Sequence, residues 1–292
     1  WTLQIGKSGY DRARALKVDS QNNVIVAGDT DGDLTDDWSN QGSTDAFVLK
    51  LDSAGVELWW KFLGGDGSDS VYALQVDASD NVFATGRSGS SSLDGVSFSS
   101  GMNMFITKLD GATGSTLWTL RFGETGDQTC EALEVDTAGA VYVAGYMLDG
   151  SENKLWIQKT HANGTLGWTM EYGWSAHDRA LAIKVDSQGD LIVTGHTYSD
   201  VDGQTNAGEY DVFVVKFNPD QNLVWEKLFG GDSDDKAYAL EADVDDNVYV
   251  TGFTKSSTFN GHATSGLADI FLMKLDTNGN HVWTLVFGSK AC

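Results

Sequence analysis

Asp29-Thr30-Asp31-Gly32-Asp33 sets three carboxylates on alternate residues around a glycine, the pattern with which short loops surround a calcium ion with oxygen. Asp29, Asp31 and Asp33 are therefore the candidate metal ligands, and calcium is the one candidate cofactor. No glutamate stands at the twelfth position of such a loop and no helix signal flanks it, so the helix–loop–helix form of a calcium site does not apply. Asp66-Gly67-Ser68-Asp69 and Asp232-Ser233-Asp234-Asp235 are weaker versions of the same pattern. A second set of candidates is aromatic. Trp38, Trp156 and Trp174 stand outside the repeat described below, and Trp174 has His177 three residues on. Trp38 and Trp174 fall in stretches that read as loops, where a large aromatic offers a stacking surface to a ligand. Trp38, Trp174, His177 and Trp156 are accordingly the candidate ligand-binding residues. The five histidines lack metal-ligand spacing, and no G-x-S-x-G, H-E-x-x-H, P-loop or dinucleotide fingerprint occurs. No catalytic residue is named, and the expectation is a protein without enzymatic activity.

The elements that position these groups come from a repeat. Trp1, Trp59, Trp118, Trp168, Trp225 and Trp283 each open a short phrase that ends in an apolar residue and glycine. By subtraction, successive tryptophans lie 58, 59, 50, 57 and 58 residues apart. Three further phrases recur in order between them. One runs Ala15–Asp19 and returns at Ala73, Ala132, Ala182 and Ala239; the next starts at Asn23, Asn81, Ala140, Asp190 and Asn247; the third starts at Asp45, Asn103, Lys154, Asp211 and Asp269. Each phrase is short, rich in valine, threonine and aromatics, alternates in character, and is bounded by Gly, Asn or Asp. Those are strand and turn signals.

Four strands per unit, repeated five times, predict an all-β, five-bladed β-propeller with four antiparallel strands per blade. The predicted blades are 7–64, 65–123, 124–173, 174–230 and 231–288, together one propeller domain over 1–292. Residues 1–6 are then a surplus outer strand. Either the chain is cut from a longer repeat array, or a terminal strand adds to a sheet edge, its own or a neighbour's. Short constant hairpins such as Asp19–Asn23 alternate with longer variable loops such as Asp29–Thr44, so one face of the ring carries the variation and is where function is expected. The fixed register of the repeated tryptophans predicts packing between blades. Asp11, Asp69, Asp178 and Asp235, with Gln128 in the fifth place, read as acceptors for backbone N–H groups at the blade junctions.

Nineteen basic residues against 42 acidic ones give a net charge of −23. That surface disfavours nucleic acid and anionic membrane surfaces as partners. No apolar run of eighteen residues occurs, so membrane insertion is not expected. The two cysteines, Cys130 and Cys292, exclude a disulfide scaffold or zinc cluster; one bridge between them, free thiols, or pairing of Cys292 with another chain all stay open. Asn163-Gly164-Thr165 is a glycosylation sequon at an expected hairpin tip.

Asp202-Gly203-Gln204-Thr205-Asn206-Ala207-Gly208-Glu209-Tyr210-Asp211-Val212-Phe213-Val214-Val215-Lys216-Phe217, Val185-Asp186-Ser187-Gln188-Gly189-Asp190-Leu191-Ile192-Val193-Thr194-Gly195 and Leu228-Phe229-Gly230-Gly231 resemble the bacterial SBBP-type β-propeller repeat. The resemblance extends over essentially the whole chain and implies a secreted or cell-surface protein without a defined catalytic site. The third unit departs from it, with Lys154-Leu155-Trp156 for Asp-x-Phe, His161 for an aspartate, and a loop at Met147–Asn153 shortened enough to open a notch. Asp110–Trp118 also resembles the tryptophan-docking motif of quinoprotein propellers, as shared geometry only. These readings lead to an adhesive or structural binding module for a glycan or an extracellular protein. One alternative is an extracellular assembly subunit that self-associates by terminal strand exchange. The other is a carbohydrate-active hydrolase with carboxylates near the central channel.

Overall fold

The computed structural model describes residues 1–7, 9–35, 38–97, 102–123, 128–149 and 152–288. Among them the regular structure is entirely β. The first sheet holds β1 (Asp11–Val18), β2 (Val24–Thr30), β3 (Asp45–Leu51) and β4 (Glu57–Leu63). The second begins with β5 (Asp69–Val76) and β6 (Val82–Ser88), is interrupted by a small hairpin of β7 (Ser92–Leu93) and β8 (Val96–Ser97), and ends with β9 (Asn103–Leu109) and β10 (Thr116–Phe122). The third holds β11 (Gln128–Val135), β12 (Val141–Asp149), β13 (Glu152–Thr160) and β14 (Leu166–Tyr172). In the fourth stand β15 (Arg179–Val185), β16 (Leu191–Thr197), β17 (Asp211–Phe217) and β18 (Leu223–Phe229). The fifth starts with β19 (Asp235–Ala242) and β20 (Val248–Thr254), sets aside a hairpin of β21 (Thr258–Phe259) and β22 (His262–Ala263), and closes with β23 (Asp269–Leu275) and β24 (His281–Phe287).

Strand order follows chain order in every sheet, and the described pairings are antiparallel. Two compact units result: residues 1–143 with 159–168, and residues 144–158 with 169–292. The third sheet contributes to both. Its connection is shorter than its counterparts, as expected, but most of 147–153 is strand: β12 and β13 each run to nine residues, and residues 150 and 151 between them lie outside the described set.

The turn between first and second strands has a local cause. Asp19 Oδ1 accepts the N–H groups of Gln21 (2.9 Å) and Asn23 (2.8 Å), closing an aspartate turn. Asp77, Asp136, Asp186 and Asp243 do the same in the other sheets. Burial works against ionisation of Asp19, but Lys50 Nζ at 2.7 Å and the turn's N–H groups outweigh it and bring its pKa down to about 2.

Within the first unit, Ile25, Ala27, Ala46, Val48 and Leu63 of the first sheet meet Val71, Leu74, Val82, Ala84, Phe105 and Leu109 of the second, all 0–2 % exposed. Trp59 crosses this junction. Its indole N–H donates to Gly111 O at 3.1 Å, and its ring lies on Gly114, whose φ of +71° and lack of a side chain the contact requires. The second unit repeats the arrangement between its fourth and fifth sheets, where Trp225 donates to Thr277 O at 3.1 Å. Trp59, Trp118 and Trp225 are thus inter-sheet anchors.

Candidate functional site

The first sheet turns its other face to an apolar groove of about 420 Å³. Ala13, Leu16, Val24, Val26, Phe47 and Leu51 come to it from β1, β2 and β3, and Trp1, Leu3 and Ile5 from the N-terminal segment. That segment joins no strand ladder, so the surplus phrase is unpaired at this end, whereas Trp283–Phe287 pairs fully with β23. Trp1 nevertheless takes the seat of an inter-sheet tryptophan. Its indole donates to Ser53 O at 3.0 Å and its ring covers Gly55, which has φ +83°. Ile5 packs on the Leu34, Phe47, Leu49 and Leu51 cluster, while Leu16 stays 60 % exposed. A surface of this kind excludes no water as it stands and gains by covering.

Trp38 belongs to this neighbourhood. It stacks on Phe62 (4.0 Å between centroids, 4° between planes), Phe62 stacks on Trp60 (5.6 Å), and Trp60 tilts against Phe47 in the groove. The other candidate aromatics are occupied. Trp156 is 4 % exposed and fills the β13 position that Phe47, Phe105, Phe213 and Phe271 hold in the other sheets, which makes it core. Trp174 stands edge-on to Tyr172 and Phe213 and donates its indole N–H to Glu226 (3.2 Å), which also receives the Tyr172 hydroxyl at 2.6 Å. His177, in the same loop, has a positive φ of 50° and lies beside Asp178, whose pKa it lowers only slightly against the effect of burial.

The three aspartates of the proposed calcium loop each have a separate partner. Asp29 is 4 % exposed and forms an ion pair with Arg14; Asp31 Oδ1 accepts the Tyr10 N–H at 2.5 Å; Asp33 Oδ1 accepts the Asn40 N–H at 3.1 Å. A calcium ion bound there has to displace these contacts. Among the described residues no group of three or more His, Cys, Asp or Glu is placed to hold a metal ion.

Carboxyls with raised pKa sit at the sheet junctions. Burial pushes Asp178 and Asp211 up to about 6, and pushes Asp45 and Asp235 up as well. They accept backbone N–H groups, from Trp174 to Asp178 (2.7 Å), Ala207 to Asp211 (3.0 Å) and Gly231 to Asp235 (2.7 Å), and are 0–2 % exposed. The geometry is that of junction fasteners out of a substrate's reach. Cys130 is a free, fully buried thiol with its pKa raised by burial; Cys292 lies outside the described residues.

One cluster in the second unit belongs to none of the motifs described above. Arg179 lies over the Tyr146 ring at 4.4 Å, and Lys236 over Tyr210 at 4.2 Å. His196, 5 % exposed, stands edge-on to Tyr210 at 4.9 Å, as does the exposed Tyr198 at 5.1 Å. Burial, then Lys236 and Arg179, depress the His196 pKa to about 3, so it is neutral at pH 7. Its Nδ1 and the Arg179 Nε are buried without hydrogen-bond partners. The signal available beforehand was a cation at the first position of β15 and another at the second position of β19, in a chain short of cations.

No protein-family model matches the chain. An uncharacterized WD repeat-containing protein of Acanthamoeba polyphaga mimivirus is 24 % identical over 183 residues, which is 50 % of this chain and 13 % of that protein's length. The WD40 domain of Neurospora crassa Pan2 superposes with a TM-score of 0.57 at 13 % identity, over 94 % of this chain and 66 % of that one. A Dyadobacter fermentans protein of unknown function gives 0.54 at 12 %, over 88 % and 73 %. At such identities the likeness is one of fold. The chain has a β-propeller-like fold built of four-stranded antiparallel sheets.

Proposed function

We propose that the chain is a non-enzymatic protein-binding module, built of five SBBP-type β-propeller blades, that is secreted or displayed at a cell surface. The observation that carries this reading is the groove on the first sheet. It offers apolar side chains at alternate strand positions (Val24 and Val26, Phe47 and Leu51) beside the half-buried Trp38–Phe62–Trp60 stack. Such a face suits an extended segment whose apolar residues fall at every second position. The net charge of −23 favours lysine or arginine on the segment's flanks and speeds encounter at low salt. WD40-type neighbours support protein binding as the role of the fold.

The test is to pan a random peptide library against the protein and against Leu16→Asp. Enrichment of alternating apolar sequences with basic flanks, lost in the variant, is expected. Recovery of the same peptides by both proteins removes the groove from the reading.

A glycan partner has its own support in the second unit. Arg179 and Lys236 lie over tyrosine rings and flank the buried His196, with the Asp234 carboxylate near Lys236 and His196. That set suits the carboxylate of an acidic sugar. Titration with galacturonate, with galactose as the uncharged control, checks it: binding of both sugars alike, or of neither, sets this reading aside.

A further inference from the structure

The cation-rich cluster of the second unit holds two polar atoms without hydrogen-bond partners, and they belong to facing residues. Arg179 of β15 lies directly opposite His196 of β16 in the ladder, so their side chains leave the same face of the fourth sheet. Arg179 Nε and His196 Nδ1 are both buried, and neither makes a hydrogen bond. Leaving such groups unpaired costs free energy that a bound acceptor recovers. Arg179 and Lys236 as whole side chains stay partly exposed, which opens the cluster to solvent.

Each element packed on His196 sets the charge around it. β15 brings Arg179 and β19 brings Lys236, and both oppose a positive imidazole. Asp234, just ahead of β19, favours one, but it is already paired with Lys255 at 3.0 Å. On β17 the ladder partner is the apolar Val212, and nearby Tyr210 meets the imidazole edge-on at 4.9 Å, with Tyr198 against the same tyrosine ring. The first sheet fills this ladder position differently. There Arg12 stands opposite Asp29, a carboxylate that pairs with Arg14. The fourth sheet keeps the cation and has an imidazole where the first has the carboxylate.

We propose that a ligand carboxylate supplies the missing anion, one oxygen accepting the Arg179 Nε–H, while His196 takes up a proton on binding and donates Nδ1–H to the other oxygen. The proposal rests on reading the cluster as an acidic-sugar site and adds its regulation by pH. One proton moves from solvent to the imidazole, and no other covalent bond forms or breaks. In the free protein, burial and the two cations keep that proton off His196. A bound carboxylate offsets the cations, and the protonated ring is the partner a carboxylate pairs with best. Ligand binding therefore raises the proton's affinity, and by reciprocity a fall in pH raises the ligand's. Protonation of the sugar's own carboxyl would act in the opposite direction, weakening its hold on Arg179.

The experiment is calorimetric titration of the full chain with galacturonate, with galactose as the uncharged control, in two buffers of different ionisation enthalpy. It is run at about pH 7.5 and about pH 5, both of which keep the sugar's carboxyl ionised. Kd is expected to be about tenfold lower at the lower pH, with uptake of at most about one proton per ligand. Asp178 and Asp211 titrate near 6 as well, so a variant assigns the proton. His196→Gln keeps a hydrogen-bonding side chain that takes no proton, and whatever its affinity at the higher pH, it should gain nothing at the lower. Should that variant fail to fold, the ring resonances of His196 in the wild-type chain serve instead: galacturonate should move their titration upward by at least about one pH unit. Equal affinity at both pH values without proton uptake overturns the proposal and leaves the acidic-sugar reading standing. A pH dependence that survives His196→Gln, or ring resonances whose titration does not move, overturns it too. Galacturonate that binds at neither pH, or no better than galactose, removes the acidic-sugar reading and this inference together.

Discussion

The two faces of the first sheet are made from the same kinds of residue and have different surroundings. One presents Ile25, Ala27, Ala46 and Val48 to the second sheet, and all four are fully buried. The other presents Ala13, Leu16, Val24 and Val26 to the groove, where Leu16 is 60 % exposed and the two valines half-buried. Apolar patterning therefore marks a face as fit for packing without saying what packs on it. The tryptophan seats make the same point. Trp59 and Trp1 each donate to a hairpin carbonyl and cover a left-handed glycine, yet Trp59 is 8 % exposed and Trp1 67 %.

The strongest way to break the comparison is to truncate both tryptophans. Trp59→Ala removes a buried indole, its hydrogen bond and its fill of the junction, and should cost about 3–5 kcal/mol. Trp1→Ala removes one exposed hydrogen bond and a partly solvated ring, and should cost no more than about 1 kcal/mol. Urea denaturation of both variants measures the difference. Equal losses would show that the N-terminal segment is as integral to the first sheet as the second sheet is.

A sharper distinction comes from pH, because carboxylates are buried at closed junctions. Asp211 and Asp178 titrate near 6 when folded, and Asp45 is raised as well, against an ordinary value near 3.8. A group with a raised folded pKa lends stability below its unfolded pKa, and that contribution is lost as pH rises through the folded value. On this account stability falls between about pH 4 and pH 7. Asp19, with its folded pKa near 2, acts oppositely and withdraws stability only as pH falls below about 4. The junction of second and third sheets has Asn103 and Gln128 where the first and second have Asp45 and Asp69. The molecule thus already contains the neutral version. Asp45→Asn with Asp211→Asn should leave Tm at pH 5 almost unchanged and raise it at pH 8 by several degrees. A drop in Tm at pH 8 would mean that these carboxylates are stabilising as anions.

The fold was largely readable beforehand because each strand is announced twice, by alternation within it and by an Asp, Asn or Gly turn beside it. Asp19 and Asn23 alone specify a hairpin, and the pattern recurs in all five sheets. The site was harder to read. Trp156 stands at the phenylalanine position of its phrase, and a tryptophan there reads as a ligand surface until the strand that carries it is seen to be buried. Trp174 reads as a loop aromatic until its partner Glu226, 52 residues away, is known. The alternating aspartates of 29–33 suggested one ligand set, but strand β2 ends within them at Thr30, so Asp29 faces Arg14 across the β1–β2 ladder while Asp31 and Asp33 serve separate turns. Which face of a sheet lacks a partner depends on contacts between distant segments, and no local pattern encodes that.

The smallest effect on stability bears most directly on function. Leu16 and Leu74 hold the same position in the first strands of neighbouring sheets and differ only in cover, 60 % against 2 % exposed. Leu74→Asp places a charge in a dry junction and should unfold a large fraction of the protein, whereas Leu16→Asp should shift stability by no more than about 0.5 kcal/mol. Leu16→Asp should nonetheless abolish binding at the groove, because a carboxylate there has to be desolvated when a partner covers it. Hydrogen exchange of the β1 and β2 amides, with and without an enriched peptide, separates the two effects. Protection gained by the wild-type chain and absent from an equally stable Leu16→Asp variant assigns the face to binding. Protection gained equally by both would return Leu16 to the status of an ordinary exposed leucine.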